Sequence, residues 1–249
     1  RDSEVDRQGL IGQGIDARHD AGGRDGYAPR PQVESVRLMD DPQEAITYDD
    51  MDHSDVNRRF VDDLLATGAC GPDVLDLGTG TARIPIELCQ RWSNCRVLAS
   101  DGAVSMLDVA RYNVSVNSLD YRIQLHHGDA KALEIADETF DTVISNSLIH
   151  HVPDPALVIA EIVRVTRPGG RIFVRDLCRP ATVEMIDEIV ARVAAHESAA
   201  AQTMFRQSLH AALTLDEIRE LVSVHGFAAS DVTMTSDRHW TWNSRRPAT

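Results

Sequence analysis

The chain reads as an α/β protein, a doubly wound parallel sheet covered by helices on both faces. Three observations point there. Short apolar runs alternate along the chain with amphipathic helical stretches, the pattern of strands buried on both sides. One run passes directly into the glycine turn Gly78-Thr79-Gly80 and then into a helix. Asp76, Asp101 and Asp129 each stand at or just beyond the carboxyl end of such a run, where open α/β sheets bind their ligands.

Residues 1–32 are rich in Gly, Asp, Arg and Gln and poor in large apolar side chains, so they cannot offset the entropy of ordering and are expected to be a disordered tail. Residues 33–249 are expected to form one domain. Ser54 reads as the N-cap of a helix whose Val56, Phe60, Val61, Leu64 and Leu65 fall at helical spacing. Residues 74–77 form the first strand and 96–100 the second; between them Ile84, Leu88 and Trp92 repeat along one helical face. The next helix packs through Val104, Leu107, Ala110 and Val114, with Arg111 at its rim. Residues 123–126, 140–145 and 171–177 supply three further strands. Pro155 opens a helix that runs to Val165, and Pro168-Gly169-Gly170 is expected to end it. Val183, Ile186, Val190 and Val193 mark a helix expected to continue through an alanine-rich stretch toward His196. Thr214-Leu215-Asp216-Glu217 is a capping box for a last helix, which Gly226 stops. Residues 229–235 and 238–242 are closing β runs; of Trp240 and Trp242, one is expected on the sheet and the other exposed or interfacial.

Composition narrows the functional classes. A formal charge of −14 and a pI near 5.0 oppose a phosphate backbone, so no nucleic-acid partner is expected. Cys70, Cys89, Cys95 and Cys178 show neither a C-x-x-C pair nor regular spacing, which points to reduced thiols rather than a metal cage or disulfide framework. No apolar run is long enough for a membrane span, and no signal-peptide centre is visible; the expected location is cytoplasmic.

The glycine turn carries the chemistry. Gly78 and Gly80 let the backbone turn tightly and lie against a ligand. Asp76 discriminates among nucleosides: a pyrophosphate gains nothing from a carboxylate there, whereas the sulfonium and amino group of S-adenosylmethionine are attracted to it. Asp101 is placed to accept both ribose hydroxyls, or else to cap the helix beginning near Ala103. Asp129 is placed to accept the adenine amine beside the small Ala130, or else forms an ordinary turn. Two readings compete with a methyl-transfer enzyme. A nicotinamide-dependent oxidoreductase would need the full G-x-G-x-x-G spacing, which is missing. A noncatalytic binding protein would keep the same cofactor residues.

In this order, Asp76-Leu77-Gly78-Thr79-Gly80-Thr81, Asp101, Gly128-Asp129-Ala130, Phe140-Asp141-Thr142-Val143 and Arg167-Pro168-Gly169-Gly170 resemble class I S-adenosylmethionine-dependent methyltransferases. Within that class the likeness is to the methyltransferase type 11, or ubiquinone/menaquinone methyltransferase-like, group. The resemblance implies a Rossmann-like seven-stranded sheet, mostly parallel with an antiparallel last strand. It implies S-adenosyl-L-methionine as co-substrate and a small-molecule methyl acceptor. It places Asp76, Gly78 and Gly80 at the methionine portion, Asp101 at the ribose, and Asp129 with Ala130 at the adenine. Many relatives have a third glycine where this chain has Ala82, a departure expected to be mild.

Methyl transfer is an in-line displacement at an already activated carbon, so alignment dominates and a base is needed only where the nucleophile must lose a proton. Candidates lie beyond the fourth strand: Asn146 as a further cofactor contact, then Ser147, His150 and His151. His150 is the candidate catalytic residue, as base or acceptor-orienting group, with a loop-fixing hydrogen bond as the alternative. Arg175 and Asp176 are expected to pair with each other, or else to contact a polar acceptor. Tyr48 stands where the relatives fold a lid over the cofactor.

Overall fold

The computed structural model describes residues 40–50 and 54–248; the expected tail over residues 1–32 lies outside them. The described chain opens with α1 (Pro42–Asp50) and α2 (Ser54–Ala66) and continues through β1 (Asp73–Leu77), α3 (Arg83–Arg91), β2 (Arg96–Asp101), α4 (Val104–Val116) and β3 (Ile123–His127). Then come β4 (Phe140–Asn146), a 3-10 turn (Ile149–His151), α5 (Pro155–Val165) and β5 (Thr166–Leu177). It closes with α6 (Val183–Val193), α7 (Ala199–Ala211), α8 (Leu215–Ser223), β6 (Val232–Met234) and β7 (His239–Arg245).

The seven strands form one sheet in the order β3-β2-β1-β4-β5-β7-β6. β1 to β5 are parallel, and β7 runs antiparallel to both of its neighbours, β5 and β6. The strand order reverses at β1, which lies between β2 and β4, so the chain leaves β1 and β4 in diverging directions and a crevice opens at their carboxyl ends.

Alternation along the strands builds two cores. Val74, Ile144 and Phe173 face Phe60, Val61 and Leu64 of α2, Ile86 and Leu88 of α3, and Val114 of α4. Leu75, Leu77, Val143, Ile172 and Val174 face the opposite side, against Val158, Ile159 and Ile162 of α5 and Ile218 and Val222 of α8. Buried Arg171 and half-buried Arg122 tie the first helices to the sheet without carboxylate partners. Arg171 donates to Leu64 O in the last turn of α2 and to Thr67 O and Gly68 O just beyond it. Arg122 donates to Cys89 O in the last turn of α3 and to Trp92 O and Cys95 O beyond it. In both cases a planar fork satisfies carbonyls that a helix C-terminus leaves free.

Several expectations need correction. α1 was not foreseen: only Ala45 among its residues is buried, so no apolar stripe marks it, and its start is set by Asp41, whose carboxylate accepts the N–H groups of Gln43 and Glu44. On α3 the buried residues are Pro85, Ile86, Leu88 and Cys89, while Ile84 and Trp92 are only partly covered. Val104 is exposed and Met106 takes the buried place on α4. The motif Pro168-Gly169-Gly170 does not end α5. The chain is already extended at Thr166, and the glycines fall inside β5 where its register against β4 shifts. The alanine-rich stretch does not prolong α6; Ser198 caps a separate helix, α7, by accepting Ala201 N–H. Trp240 and Trp242 are both fully buried, because residues two apart on a strand share a face. The capping box of α8 is present as expected.

Candidate active site

The turn after β1 is held by the second strand. Gly78 N and Thr79 N both donate to Ser100 O at 2.9 Å, and Gly80 N donates to Asp101 Oδ2 at 2.7 Å. Gly78 and Gly80 have φ of 77° and 55°, the left-handed region that glycine adopts at least cost. A Cβ on Gly78 would press on the Leu148 side chain at 3.0 Å, whereas one on Gly80 would meet only the Tyr48 ring, at 3.9 Å. The residue at the third-glycine position, Ala82, is itself left-handed at φ 63° and fully buried. Its departure from glycine is therefore felt in backbone conformation, not in clearance.

Asp76 lies beneath this turn, only 2% exposed, and its Oδ2 accepts the Thr79 hydroxyl at 2.7 Å. Burial pushes its pKa up to about 7, with the Asp101 charge adding to the effect and the Thr79 hydrogen bond opposing it. Asp101 is likewise raised by burial, although the backbone N–H groups of Ala103, Gly80 and Gly102 favour its ionised form. Its Oδ1 accepts Ala103 N at 2.9 Å, so the same carboxylate braces the glycine turn and the entry to α4.

A cavity of about 510 Å³ opens over the turn, lined by Asp76, Gly78, Gly80 and Asn146 among the expected residues, together with Tyr48 and Arg83. Asp101 reaches this group through Gly80 but does not line the cavity. Asp129 and Ala130 stand apart from it, beyond β3. Asp129 is half-exposed and accepts from Lys131, the one lysine of the chain, at 2.7 Å, which holds its pKa below the usual carboxylate range.

The roof of the cavity comes from α1. Burial raises the Tyr48 hydroxyl pKa, with the Asp101 charge contributing. Beside it, Asp49 receives the Arg83 fork at 2.8 and 2.6 Å and the Asn113 amide at 3.0 Å. Asp49 carried no signal in the sequence, since it is one of several acids in an unpatterned stretch.

Beyond β4 the chain folds back over the sheet edge. Ser145 Oγ donates to Leu77 O, Ser147 N donates to Arg175 O with Ser147 at φ 59°, and Leu148 rests on Gly78. The 3-10 turn follows, and Asp176 receives it: Asp176 Oδ2 accepts Ile149 N at 2.5 Å, and Asp176 Oδ1 lies 2.5 Å from His150 Nδ1. His150 and Asp176 are 4% and 1% exposed. Burial works to raise the Asp176 pKa, but His150 and the Leu177 N–H hold it below the usual carboxylate range. The ring of His151 lies 4.0 Å from that of His150, and burial lowers its pKa to about 4.

The expected Arg175–Asp176 pair does not form. Adjacent strand residues point to opposite faces. Arg175 turns to Asp63 at 2.7 Å and Thr241 at 3.0 Å, between Phe60 and Phe173, while Asp176 turns to His150. The period of two in β5 was the signal that would have separated them. Among the described residues no cluster of three or more His, Cys, Asp or Glu is arranged to hold a metal ion. All four cysteines are free, with Cys89 Sγ and Cys95 Sγ 3.9 Å apart.

A sheet of this order, with a glycine turn after β1 and acidic residues at the ends of β1 and β2, defines a class, and the comparisons agree: residues 75–174 match the methyltransferase domain family. Over those residues the chain is similar to the class I S-adenosylmethionine-dependent methyltransferases. Among its relatives is the ubiquinone/menaquinone biosynthesis C-methyltransferase of Desulfotalea psychrophila, 34% identical over 50% of this chain and 48% of that protein. The malonyl-[acyl-carrier protein] O-methyltransferase of Xylella fastidiosa is 33% identical over 48% of this chain and 40% of its own. The chain thus spans less than half the length of each of these relatives. A solved methyltransferase structure from Aquifex aeolicus shares the fold, with a TM-score of 0.61 at 16% identity over 82% of this chain and 98% of that one.

Proposed function

We propose that this domain binds S-adenosyl-L-methionine and transfers its methyl group to a small-molecule acceptor. The observation that carries the reading is Asp76: a buried carboxylate that lines a cavity directly under a glycine cradle, where a cationic ligand offsets the cost of its ionisation. The residues fit that nucleoside. Gly78 and Gly80 leave the space a Cβ would fill, Asp76 faces the methionine end, and Asp101 extends the acidic edge toward a ribose. Asp129 and Ala130 take the adenine end, and Asn146 is a further contact on the cavity wall. His150 is the catalytic residue. When bound, the co-substrate supplies an activated methyl carbon; the protein's part is to orient the acceptor and exclude water. The names of the relatives span carbon and oxygen acceptors, which supports a small-molecule acceptor without choosing its atom.

Calorimetric titration with S-adenosylmethionine, S-adenosylhomocysteine and NADH tests the reading. Binding of the first two and not the third is expected. Binding of NADH alone would overturn it in favour of an oxidoreductase.

A further inference from the structure

We propose that Cys89 and Cys95 form a redox modification site, in which a hydroperoxide oxidises Cys95 and Cys89 converts the product to an intramolecular disulfide.

The fold brings the two thiols together from either end of one short loop. Cys89 is in the last turn of α3, Cys95 directly precedes β2, and their sulfurs lie 3.9 Å apart. Neither lines the cavity over the glycine turn, so the pair stands apart from the site described above. β2 is paired on both sides, with β1 and β3, which makes Cys95 the fixed member. Cys89 sits where a helix frays most readily. Bringing the sulfurs to a bonding distance of about 2 Å therefore draws on the last turn of α3 and leaves the sheet in place.

The surroundings make the two sulfurs unequal. Arg122 has no carboxylate partner among the described residues; three backbone carbonyls hold its guanidinium, with Nη2 3.5 Å from Cys95 Sγ. An uncompensated cation beside a thiol favours the thiolate, which is the nucleophile. The hydrogen bond from Cys89 lowers the Cys95 pKa to about 7 against the opposing effect of burial, and the Arg122 charge adds to it. The same contact, together with burial, pushes the Cys89 thiol up. Cys70 and Cys178 are both raised by burial, the first to about 11.

Access comes through the loop. Both thiols are 2% exposed, but Ser93 and Asn94 beside Cys95 are at the surface. The indole N–H of Trp92, in the same loop, is buried and finds no acceptor among the described residues. An unpaired buried donor costs free energy that opening recovers, since water then satisfies it. A small oxidant reaches Cys95 by that opening.

In the step proposed, the Cys95 thiolate attacks the terminal oxygen of the hydroperoxide. The O–O bond breaks, the leaving oxygen takes a proton and departs as water or an alcohol, and Cys95 becomes a sulfenic acid. Cys89 loses its proton and attacks the Cys95 sulfur; the S–O bond breaks and the hydroxyl leaves with that proton as water. The two thiols lose two electrons in all, and the hydroperoxide gains them. A small thiol in excess reverses the bond by exchange.

The experiment treats the reduced, folded chain with hydrogen peroxide, blocks the remaining thiols and maps the cysteines by mass spectrometry after trypsin. The peptides spanning residues 84–91 and 92–96 should appear joined through Cys89 and Cys95, and dithiothreitol should separate them. Cys70 and Cys178 should lose their thiols at least about tenfold more slowly than Cys95. In Cys89→Ser, checked for a cooperative thermal transition, dimedone should trap a sulfenic acid on Cys95; in Cys95→Ser, checked likewise, it should leave Cys89 unlabelled. Oxidation that falls first on Cys70 or Cys178, a disulfide between any other pair or between two chains, or linkage that needs denaturant overturns the site. So does loss of both thiols with no joined peptide. Dimedone on Cys89 in Cys95→Ser, with none on Cys95 in Cys89→Ser, overturns the assignment of the nucleophile. The mapping uses the unmodified chain and no cofactor, so its result is independent of the methyl-transfer reading.

Discussion

Asp76 shows how one carboxyl can be both a liability and a site. Its folded pKa, about 7, lies above the ordinary 3.8, so the folded chain holds a proton that the unfolded chain has released between those values. Stability from this residue is therefore present below pH 4 and is lost as the pH rises toward 7. Replacing it with Asn removes the titration. Thermal unfolding should find Asp76→Asn gaining on the wild type as the pH is raised from 4 to 7, with calorimetric binding of S-adenosylmethionine lost; parallel pH profiles would show that burial does not disfavour the ionised form of Asp76. At this scale the glycines and acids of the turn were legible, because residue type and position agreed. The His150–Asp176 pairing was not, because its partners are 26 positions apart and meet only through the register of β4 against β5. Ala82 was legible as a departure but not in its effect, since a left-handed φ leaves no mark on composition.

Among the elements, α1 is held from several directions. Asp40 accepts Ser105 N at the start of α4, Tyr48 lies over Gly80, and Asp49 takes the Arg83 fork and the Asn113 amide. Burial works to raise the pKa of Asp49, but Arg83, Thr81 and Asn113 leave it lowered. The stabilisation is thus present above the ordinary carboxylate range and is lost as the pH falls through the lowered folded value. Because Arg83 is partly exposed, the pair is worth about 1 kcal/mol at most. Hydrogen exchange should show α1 opening sooner in Asp49→Ala, and in the wild type on acidification, with β1 and β4 unchanged; equal protection of α1 in both proteins would mean that Tyr48 and Ala45 hold it without Asp49. Neither α1 nor the break between α6 and α7 could be read from hydrophobic spacing. The first buries too little, and the second falls in a run whose alanines favour helix throughout, so that only Ser198 marked the new start.

The whole molecule is acidic, −14 at pH 7, and a few of its arginines are turned inward. Arg122 and Arg171 spend their guanidinium groups on backbone carbonyls, and Arg175 lies between two aromatic rings. The outer charges that remain repel one another over a distance comparable with the Debye length in dilute buffer. The thermal midpoint should therefore rise when sodium chloride is increased from about 10 mM to about 150 mM; a fall would mean that exposed ion pairs such as Arg96–Asp73 outweigh the net repulsion. The sheet was legible at this scale because alternation of apolar runs and helices is a property of the whole chain. The antiparallel β7 was expected from the family resemblance alone, since a strand's direction leaves no local pattern in its residues.

Since basic side chains are almost all arginine, Lys131 is the only side-chain amine in the molecule, and it stands at the Asp129 end of the sheet edge. An amine-reactive ester would thus write a single side-chain label next to the adenine end proposed above, on the unmodified sequence. That makes the lysine a built-in reporter: its rate of labelling reads directly whether a nucleoside covers this corner, with no residue changed to install the probe.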